Sequence, residues 1–192
     1  MKKNIDCLTA NSYYHIYNRG INGETLFKEK RNYVFFLNKY SKFISPIAST
    51  YAFCLLKNHF HVLICTRSEE IIGNCKPPFK IYEPEQIISL QFSHLFNSYA
   101  QAINKRFSRT GGLFETPFRR IEIKEEPYLI QLISYIHLNP VKHRFTEDYT
   151  KYPYSSYQLL LEGKSDLLES RTVLDWFGGR REYVDFHKTY RI

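Results

Sequence analysis

Lys57 to Ile64 reads KNHFHVLI, and a side-chain period of two puts His59 and His61 on one face of an extended segment and Phe60 and Val62 on the other. Two imidazoles roughly 7 Å apart along one strand can converge on a divalent ion. Two ligands alone leave a labile site, and a magnesium or manganese ion would complete its shell with oxygens from an amide, water or phosphate. Tyr135 and Asn139 are four apart and share a helical face, so Asn139 can supply the amide while Tyr135 brings a phenol to the same phosphodiester. A phenol that attacks phosphorus conserves the energy of the phosphodiester, so a broken strand can be rejoined without ATP. The plainer alternative makes His59 and His61, two of the chain's seven histidines, and Tyr135, one of its sixteen tyrosines, core residues; periodicity does not separate the two.

Charge points toward an anionic partner. The 192 residues carry 27 Lys and Arg against 19 Asp and Glu, a formal +8. Half of that excess lies between residues 97 and 120, where Lys105, Arg106, Arg109, Arg119 and Arg120 meet the single acid Glu115. With Arg19, at the end of an expected strand, and Asn97 they form a candidate DNA-binding track. Sixteen Tyr and fifteen Phe supply core bulk and possible base-stacking platforms.

The elements that must position these groups follow from pattern. Tyr13, His15 and Tyr17 alternate with Tyr14 and Ile16 as on a half-buried strand that turns at Arg19-Gly20. Residues 29 to 43 repeat aromatics at three and four, a first amphipathic helix. Residues 47 to 56 and 59 to 66 form a hairpin about Lys57-Asn58. Residues 67 to 84, with three prolines, predict a long loop, and 85 to 107 a helix of five turns broken at Gly111-Gly112. Residues 113 to 123 predict a fourth strand. Glu125-Glu126-Pro127 opens a third helix that Pro140 should kink or end. The tail predicts short helices over 171 to 177 and 181 to 188, hinged at Gly178-Gly179.

That order predicts an α+β fold, a ferredoxin-like split βαβ with a four- to five-stranded antiparallel sheet and two crossover helices on one face. Length supports one domain, residues 1–150, with a C-terminal helical extension, 151–192, packed on it. The four cysteines lack paired short spacing, so Cys54 and Cys65 are expected as buried thiols. No secretory leader and no membrane-spanning run is seen, which predicts a cytoplasmic, nucleoid-associated protein with no membrane partner.

Six blocks carry a resemblance over nearly the whole chain: YHIYNRG (14–20), LLKNHFHVLI (55–64), SYAQAINKRFSRTGGLFETPFRR (98–120), YIHLNPVKH (135–143), YPYSS (152–156) and VLDWFGGRREY (173–183). In this order they resemble the REP-associated tyrosine transposases, relatives of the IS200/IS605-like HUH single-strand transposases. The resemblance implies a metal-dependent endonuclease and strand transferase that cuts single-stranded DNA near a hairpin, leaving a 5′-phosphotyrosine and a 3′-OH. It makes His59, His61 and Asn139 the ligands of a divalent metal ion, Mg2+ or Mn2+, with Tyr135 the nucleophile. Tyr128, earlier on the same helix, is a rival; Tyr135 is preferred because it stands four before the Asn139-Pro140 pair. Tyr154 departs from the family's usual Trp before the paired serines. The implied partner is single-stranded hairpin DNA of REP-like elements, bound by a monomer, with a dimer left open. A non-cleaving DNA-binding protein of the same fold is the alternative, and an RNA-binding module a third reading.

Overall fold

The computed structural model describes residues 7–75 and 82–190. Its order is β1 (Tyr13–Arg19), α1 (Lys30–Ile44), β2 (Ala48–Leu56), β3 (His59–Thr66), α2 (Glu69–Gly73), α3 (Pro84–Arg106), β4 (Arg119–Ile123), α4 (Glu126–Lys142), α5 (Tyr157–Glu162), α6 (Ser170–Phe177) and α7 (Arg180–Thr189). The four strands form one antiparallel sheet in the order β2-β3-β1-β4. Two crossovers placing the first and third strands side by side give the expected split βαβ arrangement.

Strand alternation assigns the faces. Tyr14 and Ile16 of β1 and Phe60 and Val62 of β3 point one way, toward α1 and α3, and are buried. Phe60 packs its ring 5.2 Å from Phe36 of α1 and 6.0 Å from Phe96 of α3, and Phe36 meets Tyr99 at 5.2 Å. The Tyr99 hydroxyl donates to the Leu26 carbonyl at 2.8 Å, satisfying its buried polar end. The other face carries His15, Tyr17, His59 and His61, and α4 lies across it, its Tyr135 ring 5.9 Å from His61.

Several boundaries differ from the sequence expectation. The fourth strand starts at Arg119 rather than residue 113: Pro117 has no N–H for a ladder, and the stretch before it is tied to the end of β1 by the isolated bridge Gly20 to Phe114, with Glu115 N donating to Arg19 O and Ile21 N to Leu113 O. Helix α4 runs through Pro140 to Lys142 instead of ending there. The missing donor falls in the last turn, which His143 N to Asn139 O and Phe145 N to Pro140 O close. The expected loop 67–84 contains α2, whose first turn holds Glu69 and Glu70; residues 76–81 of that loop lie outside the described ones. Helix α5 adds to the expected elements, although Ser156 before it and Gly163 after it, at φ +66°, are start and stop signals. Among the described residues no helix is long and apolar enough to cross a membrane. Cys54 is buried and Cys65 partly so, and all four cysteines are free thiols.

The segment after residue 150 runs along the outer edge of β2, where Leu55 N donates to Tyr154 O and Ser156 N to Phe53 O, both at 2.9 Å. Behind it a buried polar chain ties α4 to α7. His187 Nδ1 sits 2.7 Å from the Tyr183 carbonyl, which can only accept, so that nitrogen carries the proton and Nε2 is an acceptor. His137 Nδ1–H therefore donates to His187 Nε2 at 2.9 Å, and His137 Nε2 accepts from Ser156 Oγ at 2.7 Å. Ser156 Oγ in turn accepts from Phe53 N at 2.9 Å. Every member is neutral, and burial holds both imidazoles below the usual histidine range, His187 at about 4.

A histidine with a depressed folded pKa contributes stability that is complete above the unfolded value of roughly 6.5 and is lost as pH falls toward the folded value. Urea unfolding of the wild type at pH 8.0, 6.5, 5.5 and 4.5 should show stability falling below pH 6.5. His187→Phe should be less stable at pH 8.0 and show a shallower acid loss, by up to about 1.4 kcal/mol per pH unit. Parallel pH profiles for the two proteins would exclude His187 as a source of the acid sensitivity.

Candidate active site

The hairpin turn before His59 is clamped from outside. Gly20 N donates to Asn58 O, and Leu26 N and Phe27 N both donate to Lys57 O. A side chain at Gly20 would put its Cβ 2.0 Å from the Glu24 carbonyl oxygen, so only glycine lets the two backbones approach. The register sets Tyr17 of β1 opposite His61 and Arg19 opposite His59. His59 and His61 have ring centroids 5.3 Å apart, nearly perpendicular.

Each imidazole is held by its Nδ1. His59 Nδ1 lies 2.8 Å from Asn58 Oδ1 and His61 Nδ1 lies 3.0 Å from His15 Nε2. No described residue hydrogen-bonds either Nε2. Burial pushes His59 down to about 4, with help from nearby His143 and Arg19, and holds His61 well below the usual histidine range, aided by His15, His59, His143 and Lys142. Both rings are thus neutral at pH 7, the form that ligates a metal.

Tyr135, Asn139 and His143 form one stripe on the end of α4, each four residues from the last. Tyr135 stands edge-on to His61 and to His15, at 5.9 and 6.2 Å, and His143 packs on His59 at 4.7 Å. Asn139 lies on the stripe between these contacts. It is fully buried, its Nδ2 donates to the Tyr135 carbonyl at 2.8 Å, and its Oδ1 has no hydrogen-bond partner. An orphaned buried oxygen is costly and suits an amide awaiting a cation. Among the described residues no three His, Cys, Asp or Glu side chains are placed to hold a metal, so an ion at the two imidazoles would take its remaining ligands from neutral oxygens, of which Asn139 Oδ1 is one candidate.

Tyr17, Arg19, His59, His61, Arg119 and Tyr135 all line one cleft of about 690 Å³. Tyr128 does not; it borders a smaller hollow of about 310 Å³ behind Tyr135, shared with His15, Ile121 and Tyr190. Of the expected cations, Arg19 and Arg119 reach the cleft mouth, Arg19 beside Glu115 at 2.6 Å. Arg120, next along β4, faces the opposite side, stacked 4.6 Å from Phe118 in a groove with Asn97. Arg106 pairs loosely with Glu29 at 3.7 Å near the exposed Lys105 at the end of α3.

Arg109 is held within the protein. It is only 14% exposed, and its Nε donates to Glu24 Oε1 at 2.7 Å while the other guanidinium nitrogens bind Glu24 Oε2, Asn104 Oδ1 and the Gly112 carbonyl. That fork is committed to bracing the loop after α3, and phosphate could reach it only by displacing Glu24. The single track expected over 97–120 is therefore split across two faces.

No family model matches the chain. A Haemophilus influenzae protein whose name places it among the REP-associated tyrosine transposases is 23% identical over 117 residues, covering 56% of this chain and 58% of its own length. A solved structure of a REP-associated tyrosine transposase bound to a REP hairpin superposes with TM-score 0.63 at 14% identity, over 87% of this chain and 90% of that one. The chain is similar to the REP-associated tyrosine transposases. A bacterial tRNA(His) guanylyltransferase-like protein in complex with ATP also matches, at TM-score 0.46 and 10% identity over 88% of this chain and 70% of that one, too loosely to carry an argument.

Against the transposase resemblance, the surroundings of Tyr135 and the two imidazoles add residues that sequence reasoning does not assign to the site: Tyr17 and His143 line the cleft, His15 borders the hollow behind it, and Lys142 lies over Tyr135. Lys142 places Nζ 4.6 Å from the Tyr135 ring centroid. Signals for all four exist. His15 and Tyr17 alternate along a strand, and Lys142 and His143 stand two turns beyond Tyr135.

Arg109→Ala should lower stability by about 1.5–3 kcal/mol, the worth of lost charge-assisted hydrogen bonds, read as a reduced urea midpoint. A midpoint unchanged from wild type would return Arg109 to the set of cations free for a ligand.

Proposed function

We propose that the chain is a single-stranded DNA endonuclease and strand transferase of the one-tyrosine type, acting at hairpin DNA of REP-like elements. The observation that carries the reading is that Tyr135 stands over His61 in a cleft whose two face-sharing imidazoles are neutral, with their Nε2 atoms unengaged by described residues. The resemblance to proteins named as such transposases, one of them bound to a REP hairpin, supports it.

His59 Nε2, His61 Nε2 and Asn139 Oδ1 would hold a divalent ion, Mg2+ or Mn2+, and leave the rest of its shell to water and phosphate oxygens. Such an ion supplies Lewis-acid stabilisation of the charge that builds on the phosphoryl oxygens. The chain's own residues do the remainder. Tyr135 Oη gives up its proton to solvent and attacks phosphorus, a bond to the tyrosine forms, the bond to the 3′ oxygen breaks, and that oxygen takes a proton from solvent and leaves as a 3′-OH. The free phenol titrates near 10, and the Lys142 ammonium over its ring adds positive charge where negative charge develops on the phenol oxygen. Arg19 and Arg119 at the mouth hold neighbouring phosphates, and His143 and Tyr17 keep the two imidazoles packed. In this reading the tyrosine acts in cis, Tyr135 packing on His61 of its own chain, and the acting unit is a monomer.

Tyr135→Phe should keep fold and DNA binding but lose both nicking and the protease-resistant nucleotide adduct on a tyrosyl peptide. His59→Ala and His61→Ala should each abolish divalent-dependent nicking while leaving hairpin affinity within about tenfold, because the ligands touch few phosphates. Arg19→Gln with Arg119→Gln should flatten the plot of log affinity against log salt by about 0.7 for each phosphate that is no longer neutralised. Nicking by the Phe variant, or an adduct on Tyr128, would remove Tyr135 from the chemistry. Wild type that binds hairpins without nicking them would establish the non-cleaving reading instead.

A further inference from the structure

We infer that His15 is a positioning residue that fixes the tautomer of His61, so that the His61 Nε2 lone pair faces the cleft. This rests on the reading of His61 as an ion ligand.

The two ligand histidines are oriented by different devices. His59 Nδ1 faces the side-chain oxygen of Asn58, a pure acceptor, which leaves only one arrangement: Nδ1–H donates and Nε2 keeps its lone pair. His61 has no carbonyl or carboxylate at Nδ1. Its partner there is His15 Nε2, at 3.0 Å, on a ring stacked 5.2 Å away that is itself 7% exposed. A pair of neutral imidazoles can share one proton in two ways. If His15 donates, His61 carries its proton on Nε2 and cannot ligate; if His61 donates, its Nε2 is free.

Two features select the second arrangement. Arg19 and Arg119 line the cleft with the two imidazoles, and Lys142 Nζ stands 4.6 Å from the ring of Tyr135, which packs on His61, so the cleft is a positive field toward which a lone pair is directed more favourably than an N–H. With Nε2 as acceptor, His15 carries its proton on Nδ1, and His15 borders the 310 Å³ hollow, which gives that proton a way to water. Strand geometry then makes the choice permanent: Tyr17 pairs directly with His61 in the β1–β3 register and stacks on it at 5.6 Å, so His15, two residues back on the same face, is held diagonally over Nδ1.

The test begins with the metal-free full chain labelled with 15N at histidine. Long-range proton–nitrogen correlations should show His61 and His15 both protonated at Nδ1. His61 protonated at Nε2 would overturn the proposal whatever the protein does with metal. Isothermal titration with Mn2+ alone then compares variants. His15→Phe, which keeps the stack but accepts no hydrogen bond, should weaken Mn2+ binding about 10- to 100-fold, with His61 losing its fixed tautomer. His15→Gln, which can accept, should restore both to within a few-fold of wild type. Mn2+ affinity of His15→Phe equal to wild type would also overturn it. Absence of Mn2+ binding by wild type with His61 protonated at Nδ1 would instead sink the ion reading and leave the tautomer assignment standing.

Discussion

Phe60 is the wedge on which the molecule turns. It is 1% exposed and packed among Phe36, Phe96 and Phe114. Burying such a ring is worth about 1.5–3 kcal/mol, and the register of β3 cannot slip by one residue without exchanging that ring for an imidazole. His59 and His61 are thereby held on the opposite face by a force that has nothing to do with their chemistry. The precision of the cleft is borrowed from the aromatic core behind it, and rigid scaffolds of this kind hold reactive groups more closely than loops do.

Desolvation and field act together on the cleft face. Helix α4 covers His15 and His61 enough to keep them uncharged, while Arg19, Arg119 and Lys142 remain at the rim or over Tyr135. Neutral donors at the floor and cations at the edge make a surface that welcomes an anion yet does not neutralise it at the floor. Had the floor been acidic, a bound anion would have met repulsion where the groups must come closest.

How much of this is legible in the chain depends on whether the determinant is local. The split βαβ order, the two crossover helices on one face and the shared face of His59 and His61 all follow from periods of two and 3.6, which residues carry in their own neighbourhood. Spacing pairs Tyr135 with Asn139 for the same reason. The pairing of Arg109 is invisible in sequence because its partner, Glu24, is 85 positions away, and a charge count over a window cannot see an ion pair that closes outside it. The same count groups Arg119 with Arg120, although a strand sends neighbours to opposite faces. Alternation places His15 on a strand but not in the site, because only the β1–β3 register brings it over His61.

The two edges of the sheet are finished differently. Strand β4 is five residues long and carries Arg119, Arg120 and Glu122, a short and charged border that discourages a foreign strand. Strand β2 is nine residues of largely apolar chain, Ala48–Leu56, and has no such protection of its own. Tyr154 and Ser156 lay their backbone along it instead, and Leu168 bridges it further down at Thr50. The chain beyond Lys151 is in that sense a built-in guard against self-association. A chain shortened before Tyr154 would keep every group of the cleft and still present an open, sticky border to its own copies, so solubility rather than chemistry sets how far the protein can be trimmed.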